Sequence, residues 1–313
     1  MIQQVYSWYL VTVSQTCPPL NNPFRNFTTK WVLLWLVLGF VIIALLLAIF
    51  RKISPDRVTE GSILRVFFYL WIVIWIYRKS YKHEIEARFL FGRVGSVTLR
   101  VLAGFAPVYY VFQIGLFGLF YYPVSYLAPG FVESWVFVNP FADIEDSRFP
   151  LANQIIDVLT VVLVAPVIEE LFFRGILLNR WATKWGFKVG MLASTAAFAL
   201  LHPDIMGSFV FGLSMCIFYW STRSLFAPIL IHSINNATSL VLYELMAGGP
   251  VRYSVEDLRS NIWTSLICFL VGLPVVAVVV RRHWRGVSSI PPYMLRLMGC
   301  ERNGSTRPDQ QFT

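Results

Sequence analysis

Two adjacent carboxylates and an arginine interrupt an otherwise apolar stretch, Val164-Ala-Pro-Val-Ile-Glu169-Glu170-Leu-Phe-Phe-Arg174-Gly-Ile-Leu-Leu178. Ionisable groups in hydrocarbon are costly, so such a group is first read as functional. Glu170 and Arg174 are four residues apart, on one helical face, with the acid N-terminal to the base, the better order for an ion pair. Glu169 points about 100° away from Glu170, so Arg174 need not neutralise it. One carboxylate is then free for chemistry and one is held structurally. The plainer alternative is an ion pair that only locks a helix, with a snorkelling arginine. A second apolar run ends Phe198-Ala-Leu-Leu-His202-Pro, and a third reads Pro228-Ile-Leu-Ile-His232-Ser-Ile-Asn235-Asn236. His232 and Asn236 share a helical face. Taken singly, a histidine at an apolar helix end is more often structural, and a His/Asn pair can be glue between helices. Taken together, the set suffices for hydrolysis. A carboxylate can take a proton from water, and imidazole or amide donors can stabilise an oxyanion. Glu169, His202 and His232 could instead hold zinc with an open position.

These residues need elements that bring them to one depth. The chain has 313 residues, 57% of them hydrophobic and 14% charged, and a mean hydropathy of +0.61. Soluble domains average about 25% charged residues. A chain this apolar must present its exterior to lipid. A bilayer core about 30 Å thick takes about 20 apolar residues in a helix. Candidate spans are 30–50, 62–77, 98–126, 153–178, 189–202, 205–221, 226–247 and 262–280. The expected fold is therefore all-α, a polytopic membrane bundle of about eight transmembrane helices. Run 62–77 is short and carries Arg65, which suits an interfacial segment. The division expected is 1–130 for N-terminal membrane helices of unassigned role, 131–250 for a catalytic helix core, 251–285 for the last transmembrane helix, and 286–313 for a disordered cytoplasmic tail.

Net charge is +9, but the basic residues stand at the ends of apolar runs. That pattern sets topology and meets anionic lipid, so nucleic acid is not an expected partner. Arg78, Lys79, Lys82, Arg93 and Arg100 precede the third run, and Arg180, Lys184 and Lys188 lie between the fourth and fifth. Arg281, Arg282 and Arg285 follow the last. The stretch 128–150 instead carries Glu133, Asp143, Glu145 and Asp146. The basic ends are assigned to the cytoplasm. The four cysteines form no close pair or zinc-like cluster, and no cleavable signal peptide or disulfide is expected. With a cytoplasmic turn near residue 185, Glu169 and His202 lie at similar distances on either side of it. An antiparallel hairpin brings them to similar depth. His232 starts nearer its own basic boundary, so it reaches them only if the fourth helix runs past the membrane surface.

The motifs resemble the CAAX-processing and bacteriocin-processing membrane endopeptidases, the CPBP family. That family is recognised by Glu-Glu-x-x-x-Arg, Phe-x-x-x-His and His-x-x-x-Asn on successive membrane helices. Here they stand as Glu169-Glu170-x-x-x-Arg174, Phe198-x-x-x-His202 and His232-x-x-x-Asn236, in order, over roughly residues 150–245. The resemblance implies an eight-helix bundle that hydrolyses peptide bonds at a cavity in the membrane. It implies that Glu169 and His202 activate water and that His232 and Asn236 hold the oxyanion. Glu170, Arg174 and Phe198 would support the site. No cofactor is required under a glutamate mechanism. Zinc is possible under the older metal-dependent description of the family. The implied partner is a membrane-associated peptide or protein substrate, and the wording Glu-Glu-Leu-Phe-Phe-Arg-Gly suits a bacterial inner membrane. Two other classes remain: a non-catalytic protein of the same fold in bacteriocin immunity or scaffolding, and a transporter. The second would show matching broken halves, which the sequence lacks.

Overall fold

The structure is a computed structural model that describes residues 21–53, 56–137, 147–246 and 254–305. Helix α1 spans Val32–Ile53 and α2 spans Arg57–Lys82. The α2 N-terminus is capped by Asp56, whose side chain accepts from the amides of Val58 and Thr59, and its last turn carries Lys79 and Lys82. A short α3, Ala87–Phe91, leads to α4, Ser96–Leu127. After a short helical stretch, Pro129–Phe131 continued by the π-helical Val132–Val136, a continuous helical rod spans 150–185, here α5. It runs through Pro150–Leu159, a π-helical stretch Thr160–Val164, Ala165–Glu170, a second π-helical stretch Leu171–Leu178, and Asn179–Trp185. Helices α6 (Phe187–Ala199), α7 (Ile205–Thr222), α8 (Phe226–Met246), α9 (Val255–Ser260), α10 (Ile262–Trp284) and α11 (Pro292–Ser305) complete the chain. No strand occurs among the described residues.

Each of the eight expected apolar runs is a helix. Among the described residues α2, α4, α7 and α10 are long and apolar enough to cross a membrane, and α1, α6 and α8 carry shorter apolar stretches. Large apolar side chains on α1 and α10, such as Leu45, Ile267 and Val278, are more than half exposed, as lipid-facing surface requires. The molecule is an all-α helical membrane protein. Small residues set its closest helix contacts. A Cβ on Gly115 or Gly118 of α4 would collide with Phe269 backbone or the Ser265 side chain of α10, and one on Gly272 would collide with Phe112 of α4.

Three expectations change. Run 62–77 is the middle of a 26-residue helix rather than an interfacial segment, because Arg65 is paired inside the bundle with Asp157 of α5. Run 189–202 is shorter than expected: α6 ends at Ala199, and His202 lies in the turn before α7. At 13 residues, α6 is about 20 Å long, shorter than the roughly 30 Å of a bilayer core. The tail expected to be disordered from 286 contains α11, whose Tyr293, Met294 and Leu297 are buried. Tyr293 packs edge-on against Phe24 and Phe89. Residues 306–313 lie outside the described residues, as do 138–146, which hold Asp143, Glu145 and Asp146.

Ties between elements fix their direction. Arg180 near the end of α5 donates to the carbonyls of Phe24 and Arg25, while Asp157 near its start meets Arg65 near the start of α2. Helices α2 and α5 are therefore parallel. Their basic ends lie together, beside the N-terminal residues 21–30.

Candidate active site

The rod α5 departs from α-helical geometry on both sides of Glu169 and Glu170, and the sequence explains one departure. In Thr160–Val164 the amide of Ala165 donates to Thr160 O, one residue further back than in an α-helix. The next donor in that register would be residue 166, a proline with no N–H. Val161 O is thus left over, and Asn236 Nδ2 of α8 donates to it at 2.9 Å. In the second stretch, Asn179 Nδ2 donates to Arg174 O and Gly175 O at 3.0 and 2.9 Å. Ser194 Oγ donates to Phe173 O at 2.9 Å. Side chains therefore satisfy carbonyls that a regular helix would satisfy itself.

The two carboxylates have different surroundings. Glu170 is fully buried. Its Oε1 accepts from Arg174 Nη1 at 2.9 Å and lies 2.9 Å from His232 Nδ1. Arg174 is also fully buried, so it does not snorkel. Its guanidinium lies 4.4 Å from the centre of the Phe198 ring, and its Nη2 donates to Gly212 O. Among the described residues Glu169 has no lysine or arginine in ion-pair contact, only the two histidines. Its Oε1 accepts from Tyr69 Oη of α2 at 2.7 Å. Its Oε2 is buried without a hydrogen-bond partner. His202 Nε2 stands 3.8 Å from that oxygen and His232 Nε2 stands 4.0 Å from it.

The protonation of the two rings follows from their other nitrogens. His202 Nδ1 lies 2.8 Å from Phe198 O, and a carbonyl only accepts, so Nδ1 carries the hydrogen. His232 Nδ1 faces the Glu170 carboxylate, so it too is a donor. In a neutral ring each Nε2 is then a lone pair turned towards Glu169 Oε2. Three acceptors converge with no hydrogen among them, which is a place for a hydrogen-bond donor such as water. Phe198 holds this arrangement by packing, its ring 4.3 Å from the His202 ring and against Arg174.

A cavity of about 330 Å³ contains Glu169, His202, His232 and Asn236, and Tyr69 and Gln113 also line it. All four residues expected to act on a substrate thus face one space. Glu170, Arg174 and Phe198 lie behind them, and Asn236 spends one N–H on Val161 O, leaving its second. Asp157, a further carboxylate in the fourth apolar run, is an inter-helix contact to Arg65. The Glu244 side chain lies outside the described residues.

The chemistry of Glu169, His202 and His232 is that of a zinc donor set. Their spacing is looser than a closed site. Bonds of about 2.0–2.1 Å put tetrahedral ligand atoms about 3.4 Å apart, against 3.8 and 4.0 Å here. Among the described residues no three such groups are spaced to hold a metal.

Tyr69 and Gln113 are cavity residues that the sequence reading missed. An aromatic residue in a membrane helix is ordinary, so Tyr69 carried no signal. Gln113 did carry one, as a carboxamide in the apolar run 98–126.

Residues 151–238 match the family model of type II CAAX prenyl endopeptidases, Rce1-like. A curated protein of Bacillus subtilis (strain 168), "Putative membrane peptidase YdiL", is 29% identical over 98 residues, 30% of this chain. The match spans 38% of that relative's length. No solved structure matches. The matched segment contains every motif residue from Glu169 to Asn236, and Tyr69 and Gln113 lie outside it. The three ordered motifs meet at one cavity, and over residues 151–238 this membrane protein is similar to the Rce1-like CAAX endopeptidases.

Proposed function

We propose that this protein is a membrane endopeptidase that hydrolyses peptide bonds of a membrane-associated protein or peptide, with a bacterial inner membrane as its site of action. The observation that carries the proposal is the unpartnered Glu169 Oε2 facing two imidazole nitrogens inside the cavity. A water held there donates one hydrogen to Glu169 and the other to His202 Nε2. As its oxygen attacks the scissile carbonyl carbon, Glu169 takes the proton, and the carbonyl oxygen becomes an oxyanion. His232 and the second N–H of Asn236 are its donors. To donate from Nε2 while Nδ1 stays on Glu170, His232 takes up one proton beyond the neutral form in which Nε2 accepts from the water. Collapse of the intermediate breaks the C–N bond, and the proton held by Glu169 passes to the leaving amine. Tyr69 keeps Oε1 occupied, so that Oε2 is the oxygen turned to the water.

The test is cleavage of a fluorogenic membrane-peptide panel by the purified protein, with and without a zinc chelator, beside Glu169→Gln. Cleavage that persists in chelator and vanishes in the variant is expected. Activity lost to chelator and restored by zinc would make Glu169, His202 and His232 ligands instead. Activity retained by Glu169→Gln would sink the glutamate mechanism. A biological function that survives replacement of Glu169, His202 and His232 together would favour a binding or scaffold role.

A further inference from the structure

Hydrolysis requires a scissile bond in an extended segment, and a membrane peptide is most stable as a helix. Unwinding it strips amide N–H and C=O groups of their partners in a place where water is scarce, which is costly for each group. A peptidase cavity inside a bilayer must therefore supply those partners.

The cavity has two side chains suited to this. Gln113 Oε1 of α4 and Asn235 Oδ1 of α8 are buried, line the cavity, and have no hydrogen-bond partner. Neither is in the water-activating set, and a carboxamide offers both donors and an acceptor. Their placement is fixed. Leu225 N, just before α8, donates to Leu90 O in the short α3 that leads into α4. Further along, Tyr110 Oη of α4 donates to Ser239 Oγ of α8 at 3.1 Å. The two helices thus start at one end and run parallel. Gln113 lies three residues beyond Tyr110, and Asn235 four residues before Ser239. The two carboxamides are therefore staggered along the seam rather than level with one another.

We infer that Gln113 and Asn235 hold the substrate by its main chain, accepting backbone N–H groups of an extended peptide segment laid along the α4–α8 seam. This rests on the peptidase reading. It makes the substrate class one defined by local unwinding rather than by a particular side chain. Both residues are positioning residues, since neither acts on the scissile bond. It also gives α4, outside the family-matched segment, a role in substrate binding.

The test removes one N–H at a time from the substrate. The fluorogenic peptide cleaved fastest by the full-length protein in nanodiscs is resynthesised with each amide in turn replaced by an ester, which keeps the side chains. Esters at one or two positions should lower kcat/KM about tenfold with the wild-type protein. In Gln113→Met or Asn235→Leu the penalty at the corresponding position should disappear. Gln113→Glu keeps an acceptor and should retain the penalty, so lost folding in the methionine variant does not decide the question. Ester penalties equal in wild type and in all variants would overturn the inference while leaving the peptidase reading intact. A wild-type protein that cleaves no peptide, and whose Glu169→Gln variant binds none by fluorescence anisotropy, would remove both.

Discussion

Asp157 and Glu169 stand on the same rod about three turns apart, and both join α5 to α2. Asp157 is fully buried and meets a cation, Arg65 Nη2, at 2.5 Å. One turn before it, Asn153 Nδ2 donates to Thr59 Oγ1 and Ser147 Oγ at 2.8 and 2.9 Å. Glu169 meets only a neutral donor from α2, the Tyr69 hydroxyl, and its second oxygen faces two imidazoles. The first cluster neutralises its charge and ties two helices. Asp157 Oδ1 and Glu169 Oε2 both lack a hydrogen-bond partner, but of the two only Glu169 lines the cavity, and it has no arginine against it. A buried carboxylate that serves cohesion is given a cation, because an unpaired buried charge is expensive. One that faces a cavity with no cation beside it stands against that cost, and such a position is where a reactive group is sought.

The largest effect expected is at the open site. Glu169→Gln keeps shape and the bond from Tyr69 but removes the base. It should lower kcat about a thousandfold or more while leaving the melting temperature nearly unchanged. Asp157→Asn should do the reverse, with near-normal cleavage per folded molecule and a loss of about 1–3 kcal/mol, discounted because Arg65 is 27% exposed. Peptide cleavage and thermal unfolding in detergent measure both. The contrast breaks if Asp157→Asn loses activity at unchanged stability.

Arg174→Leu tests the residue between these extremes. It strands Glu170, which is fully buried, and should cost about 3–5 kcal/mol. The same change releases the carboxylate that orients His232, so activity should fall even in the fraction that stays folded. Arg174→Lys should rescue little, because a point charge cannot reach Glu170 and Gly212 O together. Full activity in the folded fraction would detach the Glu170–Arg174 pair from the chemistry.

Much of the site could be read in the sequence because ionisable residues are conspicuous in apolar runs. Glu169, Glu170, Arg174, His202, His232 and Asn236 each stand out on that ground, and the helical repeat already pairs Glu170 with Arg174. The eight runs were legible for the same reason. What the sequence hid depends on distances between helices. Arg65 read as a sign of an interface because its partner Asp157 lies 92 positions away. The bond from Asn236 to Val161 O depends on a π-helical register that a 3.6-residue pattern does not reveal, although Pro166 marks the missing donor. Helix α11 was missed because its buried face, Tyr293, Met294 and Leu297, is short and lies beyond the last apolar run.

Tyr69→Phe sharpens the contrast on the α2 side. The variant loses the donor at Glu169 Oε1 and keeps the ring. The carboxylate is then free to rotate, so kcat should fall about tenfold with KM little changed, since Tyr69 acts through Glu169. Steady-state kinetics separate the two constants. An altered KM with unchanged kcat would make Tyr69 a substrate contact instead.

The smallest effect concerns a third kind of carboxylate. Asp257, in the short α9 outside the spans, is neither neutralised by a cation nor open to a cavity. Its Oδ2 accepts from Ser254 Oγ at 2.7 Å and from Ser254 N at 2.9 Å, and its own amide donates to Ser254 Oγ at 3.1 Å. These bonds hold its carboxyl below the usual carboxylate range, the Ser254 hydroxyl first. A carboxyl whose value is lower folded than unfolded adds stability above the unfolded value of about 3.9. It loses that contribution as pH falls through the lower folded value. The protection factor of amides over residues 255–260, their exchange rate relative to that of an unstructured chain at the same pH, should therefore be high at neutral pH and fall in acid below pH 4. Ser254→Ala should abolish that dependence and leave cleavage unchanged, because this capping box fixes one helix end and touches nothing in the cavity. If Ser254→Ala slows cleavage as much as Tyr69→Phe does, the division between carboxylates that hold helices and the one that reacts is drawn in the wrong place.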